Sequence, residues 1–213
     1  MSTPRSAALM VDGLTVRVAG ATLLDGVSLS VAPGEVVGLV GPNGVGKTTL
    51  LDAVTGFVAT AHGSIAVDGE RVERLAPHER ARRGLRRTFQ DGELFEDLTV
   101  AEHLTLPAGV DARDVEEAIE RAGLGAVAEE RPGALDAGQR RAVALARALV
   151  GSPVVAILDE PAAGSGPAER GRLAHIVQQA ADRGTAVLLC DHDQELVRSL
   201  SATVLHLEHG RLS

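Results

Sequence analysis

Eight consecutive residues have the types and the spacing needed to bind a triphosphate. They are Gly41, Pro42, Asn43, Gly44, Val45, Gly46, Lys47 and Thr48, a complete G-x-x-x-x-G-K-T phosphate loop. In such a loop the glycines let backbone N–H groups converge on phosphate oxygens, the lysine places a charge near the β- and γ-phosphates, and the threonine hydroxyl can ligate Mg²⁺. We expect Thr49 to contribute to the same site. The sequence therefore predicts a nucleoside triphosphate site.

A second set of reactive residues lies at the end of a later apolar segment. Val155 to Leu158 predict a buried strand, and Asp159 and Glu160 follow at its carboxyl end, where open α/β sheets bind ligands. Asp159 is placed to hold Mg²⁺, directly or through water, and Glu160 to polarise a water for attack on the γ-phosphate. Adjacent carboxylates at a strand end are common, so this pair is specific only in combination with the phosphate loop.

The elements that must position these residues follow from periodicity. Buried strands are predicted at 36–40, 154–158 and 185–190, and a helix beginning near Lys47 would point its positive N-terminus at the phosphates. Alternating segments at 14–18 and 27–31, with a hairpin at 63–72, predict a flanking antiparallel β layer. A helix at 167–182 between two of the buried strands favours a parallel sheet.

The segment from 91 to 134 has a helical pattern, clearest at 111–123, where an Asp can cap the start and Gly123 the end. The predicted fold is therefore α/β: a P-loop NTPase core with a parallel sheet, a flanking antiparallel layer and a helical subdomain. We expect one domain over residues 1–213, with the helical subdomain at about 91–150.

Composition excludes several classes of function. The formal charge is −8, and the chain has no Trp, no Tyr and three Phe, so it lacks both a cationic field and a stacking platform for nucleic acid. One cysteine, Cys190, excludes an intrachain disulfide and is expected to be a small core residue. The apolar segments are too short to cross a bilayer, and residues 1–10 lack the apolar core of a secretory signal. We therefore expect a cytoplasmic chain without a nucleic-acid partner.

At this point the sequence closely resembles the ATP-binding subunits of ABC transporters over essentially its whole length. The resemblance implies that Gln90 contacts Mg²⁺ and links the nucleotide site to a membrane partner, and that His192 senses the γ-phosphate. It also implies ATP and Mg²⁺ as cofactors, transmembrane permease subunits as partners, and a peripheral location on the inner face of the membrane. The family signature, which acts across a dimer, corresponds to Leu135, Asp136, Ala137, Gly138 and Gln139.

Segments 87–90, 94–100 and 159–164 resemble most closely the ATPases of branched-chain amino acid importers. Importers of urea or other amides share much of this pattern, and export ATPases share some of it. Substrate choice in this family belongs to other subunits, so no substrate pocket is expected in this chain.

The sequence departs from the family at four positions. Val18 stands where an aromatic ring often packs on adenine, so we expect weaker apolar contact with the base. Asp136 and Ala137 replace Ser and Gly of the signature, and Gly166 replaces the usual loop Asp. Because the last three lie in elements used across the dimer, we expect nonequivalent sites and favour a heterodimer over a homodimer. Alternatively, Asp136 is merely a good helix N-cap.

Two groups of residues were assigned no chemistry. Five arginines at positions 80, 82, 83, 86 and 87 are typical of a solvated helix face, and the histidines other than His192 have no spacing that requires a metal site. The predicted function is ATP hydrolysis that drives transport. The alternative is a non-hydrolysing, nucleotide-dependent interaction subunit, against which Glu160 argues. A DNA-repair or translation ATPase of the same superfamily would contain coiled-coil insertions or a second cassette, and neither occurs in this sequence.

Overall fold

The computed structural model describes residues 7–89 and 94–213, and its centre is a six-stranded sheet. The strand order is β10-β9-β3-β8-β7-β6, and every neighbouring pair is parallel except β9 and β10. These strands are β3 (Val36–Val40), β6 (Leu85–Arg87), β7 (Val155–Asp159), β8 (Ala186–Cys190), β9 (Thr203–Glu208) and β10 (Arg211–Leu212). All residues of β3, β7 and β8 are buried, as expected for a parallel sheet covered on both faces.

A four-stranded antiparallel sheet flanks this core in the order β2-β1-β4-β5. Its strands are β1 (Leu9–Val18), β2 (Ala21–Val31), β4 (His62–Val67) and β5 (Glu70–Arg71). The predicted hairpin is confirmed, with Asp68 and Gly69 both at positive φ in its turn. Strands β1 and β2 are longer than predicted because their alternation is interrupted by irregular pairing.

Helices cover both faces of the parallel sheet. The first, α1 (Lys47–Thr55), packs in the core shared with the antiparallel sheet, and the second face is covered by α6 (Pro167–Asp182) and α7 (Gln194–Leu200). A separate helical cluster contains α3 (Val100–Thr105), α4 (Ala112–Ala122) and α5 (Ala137–Leu149). The remaining helix is α2 (Pro77–Arg82). In the described part of the chain, no helix is both long and apolar enough to cross a membrane.

The α/β class and its layers are therefore confirmed, and several predicted boundaries agree closely. Helix α6 begins and ends as predicted, and α4 is capped by Asp111, whose side chain accepts the Asp114 N–H at 2.9 Å, and ends before Gly123. Strands β6, β9 and β10 were not predicted: β6 and β10 have three and two residues, and β9 mixes apolar and polar types, with one of its six residues buried.

The interpretation of the arginine run as a solvated helix face is wrong for Arg80, which is buried, and for Arg86 and Arg87, which lie on β6. Arg80 is 3% exposed, and its guanidinium donates to the carbonyls of Ala53 and Val54 in the last turn of α1, at 2.8 and 2.7 Å. Such carbonyls lack intrahelical partners, so a buried cation there satisfies them. The Arg87 side chain is 5% exposed and lies beside the nucleotide site.

Candidate functional site

The phosphate loop is the floor of a large cavity at the carboxyl edge of the parallel sheet. The cavity has a volume of about 1090 Å³. Two glycines allow the sharp path of the loop: Gly46 has φ 111° at the N-cap of α1, and a Cβ on Gly41 would lie 2.4 Å from the Leu207 carbonyl of β9. The lining residues are Pro42, Asn43, Gly44, Val45, Gly46, Lys47, Thr48 and Thr49 from the loop, with Thr22, Leu23, Glu160, His192, Glu208, His209 and Gly210.

Lys47 is 7% exposed and is the only lysine in the chain. Its Nζ donates to the carbonyl oxygens of Gly41 and Pro42, at 2.7 and 2.9 Å. An ammonium group has three donors, so these two bonds hold the charge beside the loop and leave one N–H for a phosphate oxygen. The geometry suits an anion bound where loop amides, the α1 N-terminus and Lys47 converge.

Asp159 is buried at the end of β7 and ion-paired. Arg87 Nη2 donates to Asp159 Oδ2 at 2.8 Å, and Arg87 Nη1 donates to Asp52 Oδ1 of α1 at 2.6 Å. Burial raises the pKa of the Asp159 carboxyl, the Arg87 guanidinium opposes that rise, and the charges of Glu160 and Asp52 add to it. Arg87 therefore ties α1 to β7 and holds the carboxylate at the strand end, next in sequence to Glu160, which lines the nucleotide cavity.

The residues near Asp159 fit a divalent cation. Asp159 Oδ1 is buried and has no hydrogen-bond partner within residues 7–89 and 94–213, so it has a free lone pair in a place that water rarely reaches. Thr48 lines the nucleotide cavity nearby. Mg²⁺ in such sites takes one or two protein ligands and completes its octahedron with phosphate oxygens and water. Thr48 and Asp159 would hold it, and it would supply charge stabilisation for the transferring phosphoryl group.

Glu160 and His192 meet at the wall of the cavity. His192 Nε2 lies 2.6 Å from Glu160 Oε1. Glu160 has φ 48°, an uncommon backbone conformation for a residue with a side chain, and its N–H donates to the Cys190 carbonyl at 2.7 Å. Such local strain is typical of functional sites. Glu160 thus follows the strand end and lines the cavity that contains the phosphate loop.

Cys190 is the last residue of β8 and pairs with Asp159 of β7. Burial raises the pKa of its thiol to about 12, and the nearby Asp159 charge adds to the rise. The thiol is therefore protonated and inert at neutral pH, as expected for a small core residue.

The predicted signature forms the start of α5. Asp136 is exposed and is the N-cap: Asp136 Oδ1 accepts the Gln139 N–H at 2.8 Å, and Gln139 Oε1 accepts the Asp136 N–H at 2.9 Å. Leu135 is buried in the helical cluster. The N-cap alternative for Asp136 is thus a feature of the structure, while its effect on nucleotide in a partner subunit stays a prediction.

A second carboxylate lies against the signature. Glu169 Oε1 would be 2.3 Å from a Cβ on Gly138, and Glu169 Oε2 accepts from Arg141 at 3.2 Å and from the N–H of Gly166, the N-cap of α6, at 3.1 Å. The signature and the loop before α6 are therefore in direct contact. We call Asp136, Ala137, Gly138, Gly166 and Glu169 the signature face.

Two predicted residues and two overlooked ones need separate comment. Gln90 lies outside the described residues. Val18 is 47% exposed and does not belong to the residues that line the cavity, so its contact with the base stays a prediction. Arg87 and His209 were not predicted as site residues: the first was masked by a run of arginines, and the second is an isolated histidine with no local pattern.

A groove of about 740 Å³ lies on the other side of Arg87. It contains all three phenylalanines of the chain, Phe57, Phe89 and Phe95, which are 57%, 36% and 60% exposed. Phe57 and Phe89 pack edge to face at 5.6 Å, and the Arg87 guanidinium carbon lies 5.2 Å from the centre of the Phe89 ring. Arg86 and Arg147 also line this aromatic groove.

Fold and site geometry together define an ATP-binding cassette, and comparison with known proteins gives the family. The family model described as ABC transporter matches residues 24–163, so the chain belongs to that family and is an ATPase. Solved structures of an ABC transporter ATP-binding subunit and of an ATP-binding cassette in its ADP conformation superpose with TM-scores of 0.87 and 0.86 at 25% and 26% identity. These alignments cover 96% and 97% of this chain and 88% and 89% of those chains.

Curated relatives include proteins named for branched-chain amino acid transport and proteins named for thiamine import. The high-affinity branched-chain amino acid transport ATP-binding protein BraF of Pseudomonas aeruginosa is 36% identical, over 95% of this chain and 88% of its own length. LivG of Escherichia coli, with the same description, is 34% identical over the same shares. The thiamine import ATP-binding protein ThiQ of Cereibacter sphaeroides is 38% identical over 95% of this chain and 89% of its own length.

Proposed function

We propose that the chain is the ATP-hydrolysing subunit of an importer for branched-chain amino acids or related amides, bound to a permease at the inner face of the membrane. One observation carries the hydrolytic part: Glu160 and His192 meet at 2.6 Å in the cavity that contains the phosphate loop. The full set of residues for attack on ATP bound to the same chain is present. We also propose that residues 1–213 form a single domain, with a helical subdomain at about 91–150.

Lys47 holds the β- and γ-phosphates, Thr48 and Asp159 hold Mg²⁺, and Glu160 accepts a proton from the attacking water. In the absence of nucleotide, His192 orients Glu160. When ATP binds, the two side chains separate and His192 donates a hydrogen bond to the γ-phosphate. Gln90 is proposed to complete the Mg²⁺ site.

The aromatic groove is our proposed permease contact. A groove that gathers the three phenylalanines of the chain, all of them exposed, suits a segment with an apolar face. Arg87 touches both Phe89 and Asp159, so this contact adjoins the nucleotide site directly. Replacing Phe95 with Ser should reduce co-purification of the permease. Met10→Ser, at a comparably exposed apolar residue of β1, should not.

The signature face supports a heterodimer. Its exposed carboxylate, Asp136, would lie near the triphosphate held by a second subunit, where negative charge is unfavourable, whereas Glu169 is paired with Arg141. A homodimer would have this handicap at both sites, and a heterodimer at one. Purification of the native complex, followed by counting its ATPase chains by mass spectrometry, decides between them.

The same complex tests substrate and mechanism. Reconstituted into proteoliposomes with its binding protein, it should take up leucine with ATP, and the Glu160→Gln complex should not. Uptake of thiamine, with neither leucine nor an amide transported, would contradict the substrate proposal. An intact complex that transports nothing and does not hydrolyse ATP would favour the non-hydrolysing alternative.

A further inference from the structure

One wall of the nucleotide cavity is formed by residues that have no assigned role. Thr22 and Leu23 of β2 meet the β9–β10 turn there, formed by Glu208, His209 and Gly210. The turn is pressed against β2: a Cβ on Gly210 would lie 2.5 Å from the Leu23 carbonyl, and the Asp25 N–H donates to Gly210 O at 2.9 Å. Both strands of the turn are fixed by paired bonds between His206 and Ser213. The turn is therefore a built wall of the cavity.

This wall is unsuited to phosphate. Glu208 lines it, and a carboxylate beside a triphosphate is repulsive. Leu23 is 39% exposed and offers apolar surface. The loop amides and Lys47, which adjoin this wall, already provide the site that attracts the phosphates. The part of the nucleotide that suits an apolar, partly acidic wall is the base with its ribose, whose hydroxyls can donate to a carboxylate.

Aromatic groups for a base are scarce in this chain. It has no Trp or Tyr, and its three phenylalanines line the aromatic groove. Of the aromatic rings in the described residues, two line the nucleotide cavity, and His192 is engaged by Glu160. His209 is the other. Its backbone has φ 49°, an unusual conformation for a residue with a side chain, which holds it at the tip of the turn.

We propose that Leu23 and His209 form the base subsite of this ATPase, with the imidazole ring of His209 packed on the adenine. This inference rests on the assignment of the cavity to ATP. Val18 stands at the end of β1, where the family often has an aromatic residue. The ring of His209, on the opposite side of β2, would take the place of that residue. His209 then determines affinity for the base and contributes nothing to the phosphates.

The test compares two ligands on the full-length chain by calorimetry: ATP with Mg²⁺, and tripolyphosphate with Mg²⁺, which lacks base and ribose. His209→Asn is the main variant, because Asn also tolerates positive φ but has no ring. It should weaken ATP binding about two- to tenfold, the equivalent of one aromatic contact, and leave tripolyphosphate binding unchanged. His209→Phe, which keeps a ring, should restore most of the ATP affinity. Unchanged melting temperatures exclude misfolding.

Two results would overturn the inference. Unchanged ATP affinity in His209→Asn would mean that the ring does not touch the base, and equal weakening of both ligands would mean that it acts on the phosphates. Lys47→Ala separates this from the assignment of the cavity. If Lys47→Ala loses both ligands while His209→Asn loses neither, the ATP site stands and the base subsite is elsewhere.

Discussion

The nucleotide site and the signature face each have a carboxylate near a position proposed for phosphate. The two carboxylates differ in their burial and in their charged partners. In the cavity, Asp159 is buried and compensated by Arg87, which also binds Asp52. On the signature face, Glu169 is paired with Arg141, but Asp136 is exposed and its hydrogen bonds join it to Gln139 without a cation. The residues that we propose act on the chain's own ATP are thus all present in the sequence, while three of the four departures from the family lie on the signature face.

Lys47→Ala should have the largest effect on this comparison. Loss of the side-chain charge proposed for the β- and γ-phosphates should nearly abolish ATP binding, measured by calorimetry. Arg211→Ala is the matched control, because it removes an exposed cation, paired with Asp25, at the edge of the same cavity. Binding by Lys47→Ala close to that of the wild type would remove Lys47 from the site.

Glu160→Gln should keep ATP affinity and lower turnover at least about 100-fold, because only the proton-accepting role is lost. Steady-state hydrolysis by the purified complex measures it. Glu169→Gln provides the comparison from the signature face, and its effect on the chain's own site should be small. If Glu160→Gln hydrolyses ATP at nearly the normal rate, another group activates the water.

Arg87→Met should destabilise the fold by about 3–5 kcal/mol in urea unfolding, because it leaves Asp159 buried without a cation. Arg83→Met, which breaks an exposed pair with Glu70, should cost at most about 1 kcal/mol.

The pH dependence of the unfolding free energy provides a second test of the Arg87→Met variant. Arg87 lowers the pKa of Asp159 against the effect of burial, so its loss raises that pKa further above the unfolded value. A raised folded pKa contributes stability that is present below the unfolded pKa and lost as pH rises. The deficit of Arg87→Met should therefore be largest near pH 7 and shrink toward pH 4. A deficit that is independent of pH would show that packing, not charge, is lost.

Asp136→Asn should have the smallest effect, a several-fold decrease in the ATP concentration that half-closes the dimer. Asn caps a helix as well as Asp and is nearly the same size, so the melting temperature should not change. Asp136→Ser is a second charge-free cap. If both variants close at the same ATP concentration as the wild type, Asp136 is only a cap and the two regions do not differ in function.

The sequence was most informative where chemistry and structure are local. The phosphate loop, β3 and α1 form one continuous segment, and α6 has both of its end signals within its own residues, so each was predicted from nearby residue types. Arg87 was misread because its partners, Asp52 and Asp159, are 35 and 72 residues away, and a run of arginines gives no sign of which one turns inward. His209 was missed because it lies between β9, whose six residues mix apolar and polar types, and β10, which has only two residues.

The single lysine of this chain makes the phosphate loop chemically unique. Lys47 carries the only ε-amine, and it is buried against two carbonyls of its own loop. Reagents that acylate amines can therefore reach one side chain, and bound nucleotide should shield it. The extent of labelling at Lys47, measured on the peptide that contains it so that the α-amino group is counted separately, reports site occupancy in a protein that has no tryptophan for fluorescence.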